Sequence, residues 1–325
     1  MRQLILRRIL ISLVVLLGVS ILLYSLARLM PSDYVTLTTS TQQKITEEQR
    51  EHLRTLYGLN SSFIGGYFEW LKGALTLDFG VSLAYARPVT EVMWTHMGVT
   101  VSVALLALFF ELLIAIPLGI LAARRRNTRV DYTITAFFFV GISLPSFFFA
   151  ALLKRTFGYY GLNLLPTTGM LNPRVIYDGF SLAKLLDYAQ HLIIPIAVFA
   201  ITACGAWLRY TRANMIEALG SDYVRLARAK GVPERRVVYG HAFKNTLIPI
   251  VTLLGMQLPV LFSGAMITEN LFGLPGIGSV ALKAYELSDV PFLMGYNMFL
   301  AAVTILGFLM SDILYAVVDP RIRYK

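Results

Sequence analysis

The sequence predicts an all-α integral membrane protein with six transmembrane helices and both termini in the cytoplasm. Hydrophobic residues make up 56% of the 325 residues and charged residues only 15%, against roughly 45–50% and 25% in a soluble domain. The apolar excess falls into blocks close to the roughly 20 residues that a helix needs to cross a bilayer. These blocks are 9–27, 97–123, 132–153, 192–208, 245–268 and 292–311.

The placement of Lys and Arg sets the predicted orientation. Of the 29 basic residues, 18 lie in the N-terminal tail, in segments 124–129 and 209–244, and in the C-terminal tail. Basic residues in short loops remain in the cytoplasm, so we expect both termini there. The net charge of +10 is then an orientation signal in a protein surrounded by lipid, and no nucleic-acid partner is expected.

Three regions follow from this pattern. Residues 1–30 form the N-terminal tail and first transmembrane helix, residues 31–96 an external loop with short amphipathic helices, and residues 97–325 a five-helix core. A cleaved secretory signal is the alternative for the first block, but its uncharged stretch exceeds the roughly 7–15 residues of such signals. The external loop carries a capping-box pattern at 46–49. An aromatic stretch at 63–77 suits either the headgroup region or packing against span ends.

The predicted cytoplasmic loop 209–246 contains a helix, an elbow and a second helix. Ser221 can cap a helix over 222–230, Gly231 suits its end, and Pro233 suits the first turn of a helix toward Thr246. A common face of the first helix is expected to hold Tyr223, Leu226, Ala227 and Lys230. A solvated basic loop explains the arginines, but an aliphatic and aromatic face favours a docking element.

Residues for catalysis or cofactor binding are not indicated. A P-loop needs a Gly-Lys pair, which the sequence lacks, so any ATP site must lie on another chain. The four histidines are scattered without metal-ligand spacing, and Cys204 is the single cysteine. We therefore expect no enzyme activity, no cofactor and no metal site.

Two carboxylates lie inside the predicted spans, Glu111 in the second and Asp312 in the sixth. An ionisable group at membrane depth costs about 2.5–3.5 kcal/mol and is a candidate functional group. Glu111 is either a proton-relay or substrate contact, or a hydrogen-bonded contact between helices, and the absence of a second group at similar depth favours the latter.

Prolines interrupt four spans, which favours a moving bundle that lines a pathway. They are Pro117, Pro145, Pro195, Pro249 and Pro259.

In order and spacing, a series of motifs resembles the permease subunits of bacterial ABC importers for peptides, a group that includes dipeptide, oligopeptide and nickel systems. The motifs are Tyr57-Gly58-Leu59, Asp78-Phe79-Gly80-Val81-Ser82, Ile116-Pro117-Leu118-Gly119, Asp222-Tyr223-Val224-Arg225, Ala227-Arg228-Ala229-Lys230-Gly231, His241-Ala242-Phe243-Lys244-Asn245, Glu269-Asn270-Leu271-Phe272, Pro275-Gly276-Ile277-Gly278 and Asp319-Pro320-Arg321-Ile322-Arg323-Tyr324.

This resemblance implies a type I importer permease fold in the bacterial cytoplasmic membrane. It implies a second homologous permease subunit, two ABC ATPase subunits and an external substrate-binding protein as partners. The loop around Gly231 is similar to the coupling loop whose short helix seats in the ATPase, and Glu269 joins Glu111 and Asp312 as a pathway candidate. The coupling residues implied are Asp222, Tyr223, Arg225, Leu226, Ala227, Arg228, Ala229, Lys230 and Gly231. Arg225-Leu226-Ala227 stand where general importers have Glu-Ala-Ala.

Peptide cargo is the expected substrate class. Nickel complexes, glutathione and opines remain alternatives within the family. A stand-alone proton-coupled carrier that uses Glu111 is the alternative from another class, and a scaffold without transport is disfavoured by the interrupted spans.

Overall fold

In a computed structural model, residues 2–29, 48, 62–179 and 181–318 are described, and most of these residues are helical. The helices are α1 Arg2–Arg28, α2 Phe63–Leu75, α3 Val89–Arg124, α4 Arg129–Ser143, α5 Ser146–Phe157, α6 Leu182–Gly220, α7 Asp222–Ala229, α8 Glu234–Arg236, α9 Phe243–Met256, α10 Leu258–Ser263, α11 Met266–Phe272, α12 Ile277–Glu286 and α13 Val290–Val318. A π-helical segment, Val237–Ala242, joins α8 to α9, and two short strands, β1 Val81–Ser82 and β2 Arg87–Pro88, pair antiparallel. The predicted capping box at 46–49, apart from Glu48, and the motif at 319–324 lie outside the described residues.

Four helices are long and apolar enough to cross a membrane among the described residues: α1, α3, α6 and α13. They contain the predicted blocks at 9–27, 97–123, 192–208 and 292–311. The block at 132–153 forms two helices, α4 and α5, bent by 100°. Leu144 has an extended backbone (ψ 132°) between them, because the proline that follows disfavours the helical conformation. The bent pair counts as a fifth span if its two helices cross together.

The block at 245–268 is not one continuous helix as the sequence predicted. It is divided among α9, α10 and the start of α11. Gly264 has a φ of +65°, a left-handed conformation in which a right-handed helix cannot continue. The longest apolar helical stretch in this block is Leu253–Ser263, which is shorter than the roughly 20 residues needed for a crossing.

The chain divides into two compact units, of which the first contains residues 1–100, 262–267 and 275–306. In this unit the aromatic face of α2 packs against the end of α1. The Tyr67 hydroxyl lies 2.9 Å from Ser20 Oγ, and the Tyr24 ring packs edge-on against Phe63 and Tyr67. Phe68 remains 63% exposed. The stretch at 63–77 therefore does pack against a span end, while part of its aromatic surface stays available to headgroups.

A buried aspartate organises the hairpin of the first unit. Asp289 is fully buried and accepts hydrogen bonds from Ser82 Oγ at 2.6 Å and from the Ala84 N–H at 3.0 Å. These bonds satisfy the carboxylate, which would otherwise be costly to bury. They fix the hairpin against the start of α13.

The second unit contains residues 101–261, 268–274 and 307–325. Its longest helix, α6, begins at Leu182, where Ser181 Oγ accepts the Lys184 N–H at 3.2 Å. This capped turn continues without a break into the rest of α6. Thr211 of α6 packs closely against Gly119 of α3. A Cβ atom added at Gly119 would lie 2.7 Å from the Thr211 side chain. The fully buried Cys204 is a core residue of the same helix.

Candidate functional site

The loop predicted to be cytoplasmic extends from the end of α6. With 39 residues, α6 is roughly 58 Å long at 1.5 Å per residue, about twice the thickness of the bilayer core. A large part of the helix must therefore lie outside the hydrocarbon. Its C-terminal end carries α7 and the residues that follow.

The backbone confirms the predicted helix, elbow and helix. Gly231 adopts a φ of +72° just after α7, and its N–H donates to the Arg228 carbonyl at 2.9 Å. Pro233 then precedes α8. Ser221 does occupy the N-cap position of α7, but its hydroxyl donates to the Ala218 carbonyl at 2.5 Å and makes no capping bond. The second helix passes through the π-helical segment before it reaches Thr246, which the sequence did not predict.

One face of α7 is locked into the core of its own unit. Val224 is fully buried and Ala227 is 7% exposed. Both belong to a cluster with residues of α3, α6 and the π-helical segment. The sequence placed Ala227 on the docking face, and this assignment is wrong because its methyl group packs inward.

Two large apolar residues of α7 remain exposed. Tyr223 is 41% exposed and Leu226 is 56% exposed. They are joined by the exposed Asp222, Arg225, Arg228, Ala229, Lys230 and Gly231. We call Tyr223 and Leu226 the apolar pair. Because the buried face of α7 holds the helix in place, the exposed apolar pair is suited to contact a partner.

An ion pair braces the elbow. The Arg228 guanidinium makes two bonds to the Glu234 carboxylate, at 2.8 and 3.2 Å, and joins α7 to α8. The hydrogen bond from Arg228 holds the pKa of Glu234 below its usual range. Because both side chains are about half exposed, water screens the pair and its contribution to stability is modest. Arg225 makes a longer contact with Asp222, at 3.4 Å.

A second ion pair, between Asp131 and Arg212, was missed by the sequence analysis. Arg212 binds both carboxylate oxygens, at 2.6 and 2.7 Å, and Asp131 is 1% exposed. The main-chain N–H of Asn127 adds a third bond at 3.0 Å. The pair fastens α4 to α6. In the sequence, both residues were only charges that flank a span, and their separation of 81 positions gave no spacing signal.

The three pathway candidates lie on different helices of the second unit. Glu111 of α3 is 7% exposed, and its carboxyl lies near the Trp207 side chain of α6. Glu269 of α11 is 4% exposed, and Asp312 of α13 is partly buried. The sequence favoured a hydrogen-bonded contact between helices for Glu111, and this role stays a prediction. In the described part of the chain, no three His, Cys, Asp or Glu side chains are placed to hold a metal ion.

Comparison with known proteins adds an independent finding. A family model described as binding-protein-dependent transport system inner membrane component matches residues 115–324, and its N-terminal companion matches residues 1–104. The chain is 35% identical to the oligopeptide transport system permease protein AppB of Bacillus subtilis, covering 98% of this chain and 99% of that protein. It is 32% identical to the dipeptide transport system permease protein DppB of Escherichia coli, with full coverage of both. A putative peptide permease protein of Brucella suis is 34% identical, with 98% of each chain covered.

Proposed function

The chain belongs to the family of binding-protein-dependent transport system inner membrane components, and on this premise we propose that it forms half of the translocation pathway of an ATP-driven peptide importer. It is a multi-pass membrane protein and a non-catalytic subunit. Full-length relatives named as oligopeptide and dipeptide permeases support di- or oligopeptides as the cargo. These peptides would be delivered by an external binding protein.

The complete assembly in this proposal has a second, homologous permease and two ATPase subunits. The chain crosses the membrane six times in a type I permease arrangement, with both termini in the cytoplasm. The basic loops support this orientation. Segment 245–268 supplies the remaining crossing, as interrupted helices are tolerated where the surrounding protein or a water-filled cavity satisfies the backbone.

The observation that carries the proposal is the geometry of α7. Its inner face, Val224 and Ala227, is packed into the permease core, while the apolar pair faces outward. The ATPase would hold this outer face, so that movement in the ATPase is transmitted to α3 and α6 through the cluster behind α7. Gly231 and the pair between Arg228 and Glu234 fix the angle at which α7 leaves the next helix.

Energetically, a small interface is sufficient. Moving a two-state pore from 1:99 to 99:1 takes about 5.5 kcal/mol of differential interaction. Interface residues that act as hot spots contribute about 2 kcal/mol or more each. Two neighbouring charged residues of that strength, together with about 1–1.5 kcal/mol from each of Tyr223 and Leu226, are enough to transmit the bias.

In this proposal Glu111 has a structural role, as a contact between α3 and Trp207 of α6. Glu269 and Asp312 remain candidates for the pathway. The stand-alone proton-coupled carrier has less support, because the matching family and relatives are components of binding-protein-dependent and peptide transport systems.

Purification of the tagged chain from its native membrane tests the proposal. We expect two ATPase subunits and a second permease to co-purify, and the isolated complex to hydrolyse ATP faster when the peptide-loaded binding protein is added. Isolation of the chain by itself, with uptake driven by a pH gradient, would contradict it.

A further inference from the structure

A cavity of about 240 Å³ opens beside the apolar pair, at the junction of α6, α7 and α9. Tyr223 lines one side and Glu217, on the last turn of α6, lines another. Pockets for small molecules usually measure roughly 300–1,000 Å³, so this cavity is small for a cargo or a nucleotide. Its size suits one long side chain from a neighbouring protein.

Among the described residues, Glu217 has no side-chain partner, unlike the other two carboxylates of its segment. Segment 209–246 contains three acidic residues. Asp222 lies near Arg225 and Glu234 binds Arg228, whereas Glu217 makes no ion pair or side-chain hydrogen bond with any described residue. The carboxylate is therefore available to a cation that enters the cavity.

The other polar groups of the cavity also favour a hydrogen-bond donor. Asn214 and Asn245 use their amide nitrogens on main-chain carbonyls, which leaves their side-chain oxygens as acceptors. The hydroxyls of Ser221 and Thr246 donate to the Ala218 and Phe243 carbonyls. The lining thus presents a carboxylate and amide oxygens as acceptors, and the hydroxyl donors of Ser221 and Thr246 are already used.

We propose that this cavity receives an arginine side chain of the ATPase subunit. The inference rests on the proposed function, which seats that subunit on the adjacent apolar pair. Arginine presents five N–H donors in a planar fork and can reach several acceptors at once, whereas a lysine ammonium is a compact charge. The rest of the loop is basic and repels the arginine. Glu217 therefore also determines the position at which the ATPase docks.

The experiment uses the permease pair in lipid nanodiscs and measures the Kd of the purified ATPase over a series of salt concentrations. Glu217→Gln keeps the shape of the side chain and removes its charge, and Glu217→Lys reverses the charge. Glu286→Gln, which neutralises an exposed carboxylate of α12, is the matched control. Monodisperse elution and unchanged helical content verify that each variant is folded.

We expect Glu217→Gln to weaken ATPase binding roughly tenfold, which is equivalent to about 1.4 kcal/mol, and to reduce its salt dependence. Glu217→Lys should weaken binding further, and Glu286→Gln should bind like the unmodified protein. Equal Kd values and salt dependence for Glu217→Gln and the unmodified protein would overturn the inference while leaving the proposed function intact. An unmodified permease pair that binds no ATPase would instead refute the proposed function and the inference with it.

Discussion

Truncation of the apolar pair, Tyr223→Ala with Leu226→Ala, should uncouple ATP hydrolysis from uptake without unfolding the chain. Burial of a large apolar side chain is worth roughly 1.5–3 kcal/mol. About half of each side chain is still exposed, so coverage by a partner contributes about 1–1.5 kcal/mol per residue. The double variant should therefore lose about 2–3 kcal/mol of ATPase binding, a roughly 30- to 150-fold increase in Kd.

Two readouts test this expectation: the Kd of the ATPase for the permease pair in nanodiscs, and hydrolysis stimulated by the loaded binding protein. Val224→Ala is the matched control on the same helix, because Val224 is fully buried. The Val224→Ala substitution should lower the free energy of unfolding by about 2 kcal/mol, because two methyl groups are lost and a cavity is left. ATPase binding by the folded Val224→Ala protein should change little. Unchanged ATPase binding in a folded double variant would refute the role assigned to the apolar pair.

Three further predictions concern the supports of this region and of the spans. Asp131→Asn should lower stability by about 3 kcal/mol, because it leaves Arg212 without its carboxylate partner, and a thermal melt equal to that of the unmodified protein would contradict the structural role. Glu111→Gln should retain uptake, since an amide oxygen can still accept the Trp207 N–H, whereas loss of transport in an intact complex would favour proton chemistry. Gly231→Ala should cost about 1–2 kcal/mol, because an alanine at a φ of +72° is strained although the space around it is open. Faster hydrogen exchange at 228–238 is the expected sign, and unchanged exchange would show that the elbow tolerates a side chain.

Much of the fold follows from local sequence patterns. The lengths of the apolar blocks predicted α1, α3, α6 and α13, because hydrophobic length depends only on the residues in each block. The elbow was predictable for the same reason, since Gly231 and Pro233 act on their own backbone. Proline also indicated an interruption near the middle of the third block, but the 100° bend depends on how α4 and α5 pack.

Other features depend on contacts between distant residues. The helical periodicity of α7 placed Ala227 beside Leu226, but which side faces inward is decided by Val237 and Val238 of the π-helical segment. The ion pair between Asp131 and Arg212 joins helices that are far apart in sequence. The cavity at Glu217 also needs α6 and α9 in place, so no single segment contains its signal.

Uptake by proteoliposomes of defined composition tests most directly whether the ATPase subunits supply the driving force for transport. Vesicles that hold both permeases and the ATPase subunits, supplied with ATP and peptide-loaded binding protein, should accumulate labelled peptide. Vesicles that hold this chain by itself should accumulate none, with or without a pH gradient. Peptide accumulation by the chain without any ATPase would contradict the conclusion that its driving force comes from a partner.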